Sequence, residues 1–221
     1  MIRIENLGKR FQRKHGAVDA ICDLSMTVED GDFISVTGPS GSGKSTLLLM
    51  MGGMTSPTTG RVLWNQASIF DMSPAKRAMW RESAVGFVFQ AFNLIPYLNV
   101  HDNVGMALSL SGRMPAGYDG RIRSLLERVG LIDRQDHLPN ELSVGQQQRA
   151  ALARALVKNP QIILADEPTG NLDRETAKEV LSILKSLNEE GRTIVLITHD
   201  PDIARMAKRS VRIVEGRISN P

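Results

Sequence analysis

The chain has a single cysteine, Cys22, among 221 residues. No internal disulfide framework can form, the cytosol suits such a composition, and a lone thiol without a motif is expected as a small core residue. Long apolar runs are also missing. The longest, residues 47–51, is broken by Gly52-Gly53 and falls short of a membrane span. Met1-Ile2-Arg3-Ile4-Glu5 has no apolar core of the signal-peptide kind. The expectation is a soluble chain whose membrane role, if any, comes through a partner. Dense basic tracts are absent too. The net charge is +3, and the richest stretch, Lys9-Arg10-Phe11-Gln12-Arg13-Lys14-His15, is too thin for a nucleic-acid face. Neither an internal repeat nor a low-complexity tail is present. The length suits one large domain, or one domain with an inserted subdomain.

What the chain does have is Gly38-Pro39-Ser40-Gly41-Ser42-Gly43-Lys44-Ser45-Thr46, which fits Gly, four residues, Gly-Lys-Ser/Thr. A β-prone run, Phe33-Ile34-Ser35-Val36-Thr37, precedes it, and good helix formers follow. Strand, loop and helix in that order give the motif its meaning. Glycines let successive N–H groups turn inward, and the new helix adds its positive end. Lys44 is expected to reach the β- and γ-phosphates, and the Ser45 hydroxyl to hold Mg²⁺.

Around this loop the pattern predicts an α/β protein. Residues 2–4, 24–28 and 33–37 read as strands, with a turn over Glu29-Asp30-Gly31-Asp32. Arg61-Val62-Leu63-Trp64 and Val85-Gly86-Phe87-Val88-Phe89 are further strands, and Ser73-Pro74 opens a helix between them. From Ala91 the spacing turns helical: residues 99–110, then a Pro/Gly loop over 114–118, then a helix with Asp119 as its N-cap. Ser143 and Gln146 have capping-box spacing and open a helix that stops before Pro160. Ile162-Ile163-Leu164-Ala165 and Thr193-Ile194-Val195-Leu196-Ile197-Thr198 are apolar throughout, as buried parallel strands are. A helix over 174–189 separates them, another begins near Pro201, and residues 211–218 form a closing hairpin at Glu215-Gly216. The segment 91–158 therefore reads as helical and interrupts a strand-rich chain.

Asp166 and Glu167 follow a buried strand, where ligands of open α/β sheets bind. One carboxylate supports Mg²⁺ and the next polarises an attacking water, the division of labour that phosphoryl transfer needs. Gln90 and His199 also lie at strand ends. An amide oxygen at Gln90 could bridge metal and water, and His199 could donate to the γ-phosphate as charge builds.

Leu142-Ser143-Val144-Gly145-Gln146 resembles Leu-Ser-Gly-Gly-Gln, the signature of ATP-binding cassette ATPases, and the resemblance runs along the whole chain. Residues 38–45 look like the Walker A loop, 162–167 like Walker B, Gln90 like the Q-loop, Gly170-Asn171-Leu172-Asp173 like the D-loop and His199 like the switch histidine. Phe11 stands where the family places an aromatic against adenine. The resemblance implies a P-loop NTPase core with a mostly parallel sheet and an N-terminal antiparallel β subdomain (1–90 and 159–221), interrupted by an inserted α-helical subdomain (91–158). It also implies that two copies pair head to tail, each ATP lying between one copy's Walker A and the other's signature. Ser143, Gly145 and Gln146 would then meet the partner's nucleotide, with Asp173 nearby and Glu167 as base or water-positioner. A homodimer is expected. Val144 departs from the family's first glycine, and a β-branched residue there would be strained if that position required positive φ.

Phe87-Val88-Phe89-Gln90-Ala91-Phe92-Asn93-Leu94-Ile95-Pro96 and Asp166-Glu167-Pro168-Thr169-Gly170-Asn171-Leu172-Asp173 resemble the branch containing the lipoprotein-release ATPase LolD, the macrolide exporter MacB and the division protein FtsE. That branch implies a separate permease with few spans and a large extracytoplasmic domain, and a cytoplasmic ATPase held peripherally on the inner face of the membrane. Lipoprotein, peptide or drug export is the implied role, and mechanical signalling of the FtsE kind is the alternative. Residues 92–97 are a candidate docking patch. Soluble cassettes acting on DNA or ribosomes carry long coiled coils or paired cassettes, which this chain lacks. A P-loop kinase would not need the signature or the D-loop.

Overall fold

Two sheets of different character carry the fold of the computed structural model, which describes residues 1–14, 16–109 and 117–219. Strands β1 (Ile2–Arg13), β2 (Gly16–Val28), β4 (Thr59–Trp64) and β5 (Ala67–Ser68) form an antiparallel sheet in the order β2-β1-β4-β5. The second sheet contains β3 (Phe33–Thr37), β6 (Val85–Phe89), β7 (Ile162–Asp166), β8 (Thr193–Ile197), β9 (Arg209–Val214) and β10 (Arg217–Ser219). Its order is β10-β9-β3-β8-β7-β6, parallel except for the β9–β10 hairpin. The mixed α/β architecture expected from the sequence is the one observed.

β1 and β2 run well beyond residues 2–4 and 24–28. Their outer halves are largely exposed on both faces, with apolar Phe11 and Val18 among them, so no alternation marks them as strands. The backbone ladder holds them, helped by the two-pronged pairing of Arg10 with Asp19 at 2.6 and 2.7 Å. Cys22, expected in the core, is only half-buried. Its neighbours Ile21 and Leu24 take the core positions, while Cys22 lines a polar recess with Lys9, Arg10 and Arg217.

Helix α1 (Lys44–Met51) follows β3, and α2 (Pro74–Ala84) precedes β6. Ser73 caps α2 by accepting from the Lys76 N–H at 3.3 Å, with Pro74 in the first turn. Between β6 and β7 the regular elements among the described residues are all helical, with α3 (Val100–Ser109), α4 (Tyr118–Arg128), α5 (Val144–Leu156) and two short 3₁₀ turns. Leu110 and most of the predicted Pro/Gly loop lie outside the described residues. Asp119 does not cap α4. Gly117, at φ 73°, turns the chain into the helix, and the Asp119 carboxylate instead meets His101 Nε2 of α3 at 2.9 Å. The remaining helices are α6 (Arg174–Glu189) and α7 (Pro201–Ala204).

Three apolar clusters hold these layers. One fills the space between the two sheets and α1. Another packs α5 and α6 on the opposite face of the parallel sheet, through Leu152, Leu156, Leu181, Leu184 and Leu187. Each such side chain withdrawn from water is worth about 1.5–3 kcal/mol, so this stripe, more than helix propensity, fixes α6. The third joins α3, α4 and the other face of α5. Helix α5 therefore belongs to two cores at once.

Candidate functional site

The parallel register brings the candidate residues together. Asp166 is level with Phe89 in β6 and with Ile197 in β8, and Ile197 is level with Val36 in β3. The residues that follow these strands, Gln90, Glu167, His199 and the loop from Gly38, therefore line one edge of the sheet.

Helix α1 begins as Gly43 leaves the loop at φ 100°, a conformation that L side chains rarely adopt. A Cβ at Gly43 would lie 2.1 Å from the Ala20 carbonyl oxygen, and one at Gly38 would lie 2.0 Å from that of Ile213. The loop is thus pressed against β2 and β9, and the Gly216 N–H fastens it by donating to the Ser42 carbonyl at 3.1 Å. The first turn of α1 leaves N–H groups without intrahelical partners. Lys44 is buried, and its ammonium donates to the Gly38 and Pro39 carbonyls at 2.9 and 2.8 Å. An ammonium has three protons, so one remains for a phosphate oxygen. The buried Ser42 hydroxyl has no hydrogen-bond partner among the described residues.

Burial pushes the Asp166 carboxyl above the usual carboxylate range. The nearby Ser45 hydroxyl and the Lys44 charge act the other way, while Glu167 reinforces the rise. An undersolvated carboxylate beside a serine hydroxyl is a donor set that a small hard cation suits. Glu167 adopts φ 44°, unusual for a residue with a side chain and worth about 1–3 kcal/mol of strain. Its N–H is held by the Ile197 carbonyl at 3.1 Å, and its carboxylate Oε2 sits 3.1 Å from His199 Nδ1. Gln90 Nε2 donates to Asn171 Oδ1 at 3.2 Å, and Asn171 Nδ2 donates to the Gln90 carbonyl at 3.3 Å.

Phe11 is partly exposed near the tip of the β1–β2 pair, with the Lys9 ammonium 4.9 Å above its ring. Residues 143–146 have no hydrogen bond to the groups along the sheet edge among the described residues. They form the N-terminus of α5, closed by the capping box expected from sequence. Ser143 Oγ accepts from the Gln146 N–H at 3.2 Å, and Gln146 Oε1 accepts from the Ser143 N–H at 2.9 Å. Val144 is the first residue of α5, is exposed, and is not among the positive-φ residues, so the strain feared at this position does not arise. Gly145 is the constrained position. Its Cβ would lie 2.0 Å from Thr176 Cγ2. Asp173 caps α6, accepting from the Glu175 and Thr176 N–H groups at 3.0 and 3.1 Å and from the Thr176 hydroxyl at 2.6 Å. The Thr176 hydroxyl, then its N–H, hold the Asp173 carboxyl below its ordinary value.

Several residues were not singled out from sequence. Asn171 orients Gln90, 81 residues away. The buried Gln148 of α5 reaches the Phe89 carbonyl at 3.4 Å. Arg154, also on α5, donates to the carbonyls of Phe92 (2.8 Å) and Asn93. No local motif marks these contacts, because each partner lies in a distant element.

The docking patch divides in two. Leu94 packs with the α3–α4–α5 cluster, whereas Tyr97 is 78% exposed. A cavity of about 480 Å³ opens between α2, β6, α3 and α5, lined by Met54, Arg81, Phe87, Met106 and Arg154 among others, and the same Arg154 holds the start of the patch at Phe92 and Asn93. No helix among the described residues is long and apolar enough to cross a membrane.

A family model described as ABC transporter matches residues 21–170. The macrolide export ATP-binding/permease protein MacB of Syntrophobacter fumaroxidans is 44% identical over 221 residues, covering 99% of this chain and 31% of its own length. The chain thus spans about a third of the macrolide-export relatives it matches. An uncharacterized ABC transporter ATP-binding protein of Methanocaldococcus jannaschii, MJ1508, is 42% identical over 99% of this chain and 97% of its own. Among solved structures, the dimeric cassette MJ0796 superposes with a TM-score of 0.93 at 39% identity, covering 100% of this chain and 97% of the other. Its dimeric post-hydrolysis state bound to ADP and Pi superposes at 0.92 with 38% identity and the same coverage.

Proposed function

The chain belongs to the ABC transporter family as one of its ATPase domains, and from that premise we propose that it drives a membrane permease by hydrolysing ATP between two copies of itself. The observation that carries the reading is the row of Lys44, Ser45–Asp166, Glu167–His199 and Gln90 along one sheet edge. Lys44 has a proton free for the β- and γ-phosphates. Ser45, Asp166 and Gln90 are the residues that would hold Mg²⁺, which when bound supplies positive charge to the phosphate oxygens. Glu167, held by His199, positions the attacking water, and His199 donates to the γ-phosphate as charge grows. Phe11 offers a face to the adenine, with its ring already engaged by a cation.

Ser143, Gly145 and Gln146 address the second copy's nucleotide from the N-terminus of α5, where an anion is favoured. Asp173 lies on the same side through its contact with Thr176. We read residues 91–158 as an inserted helical subdomain, and the cavity lined by Met106 and Arg154 as the seat of a permease's cytoplasmic segment. The matches to macrolide exporters support export as the direction; a lipoprotein, peptide or drug is the cargo we propose from the resemblance to that branch. The test is Glu167→Gln with ATP, followed by size exclusion. A stable ATP-dependent dimer is expected, and persistent monomer at saturating ATP would refute the two-copy mechanism.

A further inference from the structure

Resting on the two-copy reading above, we propose that Thr176 is a positioning residue that locks the signature segment 143–146 to Asp173, so that the two present themselves to the second copy as one unit. Thr176 stands in the first turn of α6, half-buried between the D-loop and the start of α5. Its two γ substituents do different things. The hydroxyl donates to Asp173 Oδ2 at 2.6 Å. The methyl occupies the space that Gly145 leaves by having no side chain, since a Cβ there would come within 2.0 Å of it. Further along the same two helices, Arg149 of α5 pairs with Glu179 of α6, so the contact continues as a seam.

The two oxygens of Asp173 are used separately. Oδ1 accepts the Glu175 and Thr176 N–H groups and so caps α6, while Oδ2 is held by the Thr176 hydroxyl. Removing the hydroxyl therefore leaves the cap in place and frees only the direction in which the carboxylate points. Serine would keep that bond and open a gap against Gly145. Valine would keep the methyl and lose the bond. Threonine supplies both arms, and its branched Cβ keeps them in few rotamers. Any displacement of the start of α5 is thus passed to the Asp173 carboxylate through one side chain.

The experiment compares Thr176→Val, Thr176→Ser, Gly145→Ala and the double variant G145A/T176S in the full chain, reading kcat, KM for ATP and Tm. Thr176→Val is expected to lower kcat about tenfold with little change in KM or Tm, as a small misplacement of a positioned group does. Thr176→Ser should also lower kcat, and Gly145→Ala should lower it most. The double variant, which moves the methyl from one side of the seam to the other, should recover toward wild type. A wild-type kcat for Thr176→Val, or a double variant no better than Gly145→Ala, overturns the proposal. A loss of kcat in Thr176→Val matched by an equal loss of folded protein also overturns it. Pairing of Glu167→Gln with ATP, measured with Thr176 intact, reports separately on the two-copy reading.

Discussion

Gln90 and Asn171 hold each other by reciprocal hydrogen bonds, Nε2 to Oδ1 at 3.2 Å and Nδ2 to the Gln90 carbonyl at 3.3 Å. With its amide nitrogen turned to Asn171, Gln90 presents its oxygen elsewhere, as a ligand to Mg²⁺ requires. Asn171→Ala is expected to raise the Mg²⁺ concentration for half-maximal ATPase about tenfold, the usual cost of losing an outer-shell partner. A Mg²⁺ titration at saturating ATP checks this, and an unchanged midpoint would separate Asn171 from the metal.

Val144 begins α5 with an ordinary backbone, so restoring the family's glycine there relieves nothing. Val144→Gly should leave ATPase rate and ATP-driven pairing unchanged and lower stability by about 0.5 kcal/mol, the difference in helix propensity. A gain in rate or in Tm would show that the valine is a real handicap.

These two positions show what the sequence could and could not carry. The phosphate loop was fully legible, because strand, glycines, lysine and helix are neighbours along the chain. So was the Ser143–Gln146 cap, a device contained within one helical turn. The need for glycine at 145 was not, since it depends on the Thr176 methyl from another helix. Asp119 misled for the same reason. An acid before an apolar helix suggests a cap, but its carboxylate is taken by His101, 18 residues earlier. The outer halves of β1 and β2 were invisible because a ladder exposed on both faces has no alternation to read.

Asp173 gives a pH signature. Its carboxyl is held below the ordinary 3.8, first by the Thr176 hydroxyl and then by the Thr176 N–H. A lowered folded pKa stabilises the fold above the ordinary value, and that contribution is lost as pH falls through the folded one. Asp173→Asn should therefore be less stable than wild type at neutral pH. The gap should hold down to about pH 4 and close below it. Urea midpoints across that range test the sign, and a gap that widened in acid would contradict it.

Tyr97, the exposed aromatic of the docking patch, is the residue through which docking can be tested without disturbing the core. Leu94 is unsuitable, because it packs against the helices behind it. Tyr97→Glu is expected to release the protein from membranes that carry its permease while leaving ATPase activity and circular dichroism unaltered. Full retention on the membrane would place the docking surface elsewhere.

Lys44 rests on two carbonyls of its own loop, and Gly216 fastens that loop to the hairpin behind it. The cradle therefore keeps its shape by its own bonds, and on the proposed reading an arriving triphosphate takes the lysine's third proton instead of organising the loop. Little ordering entropy is spent at each arrival, and little structure is lost at each departure. A machine that must discharge its fuel and reload at every cycle benefits from a receptor that needs no rebuilding between strokes.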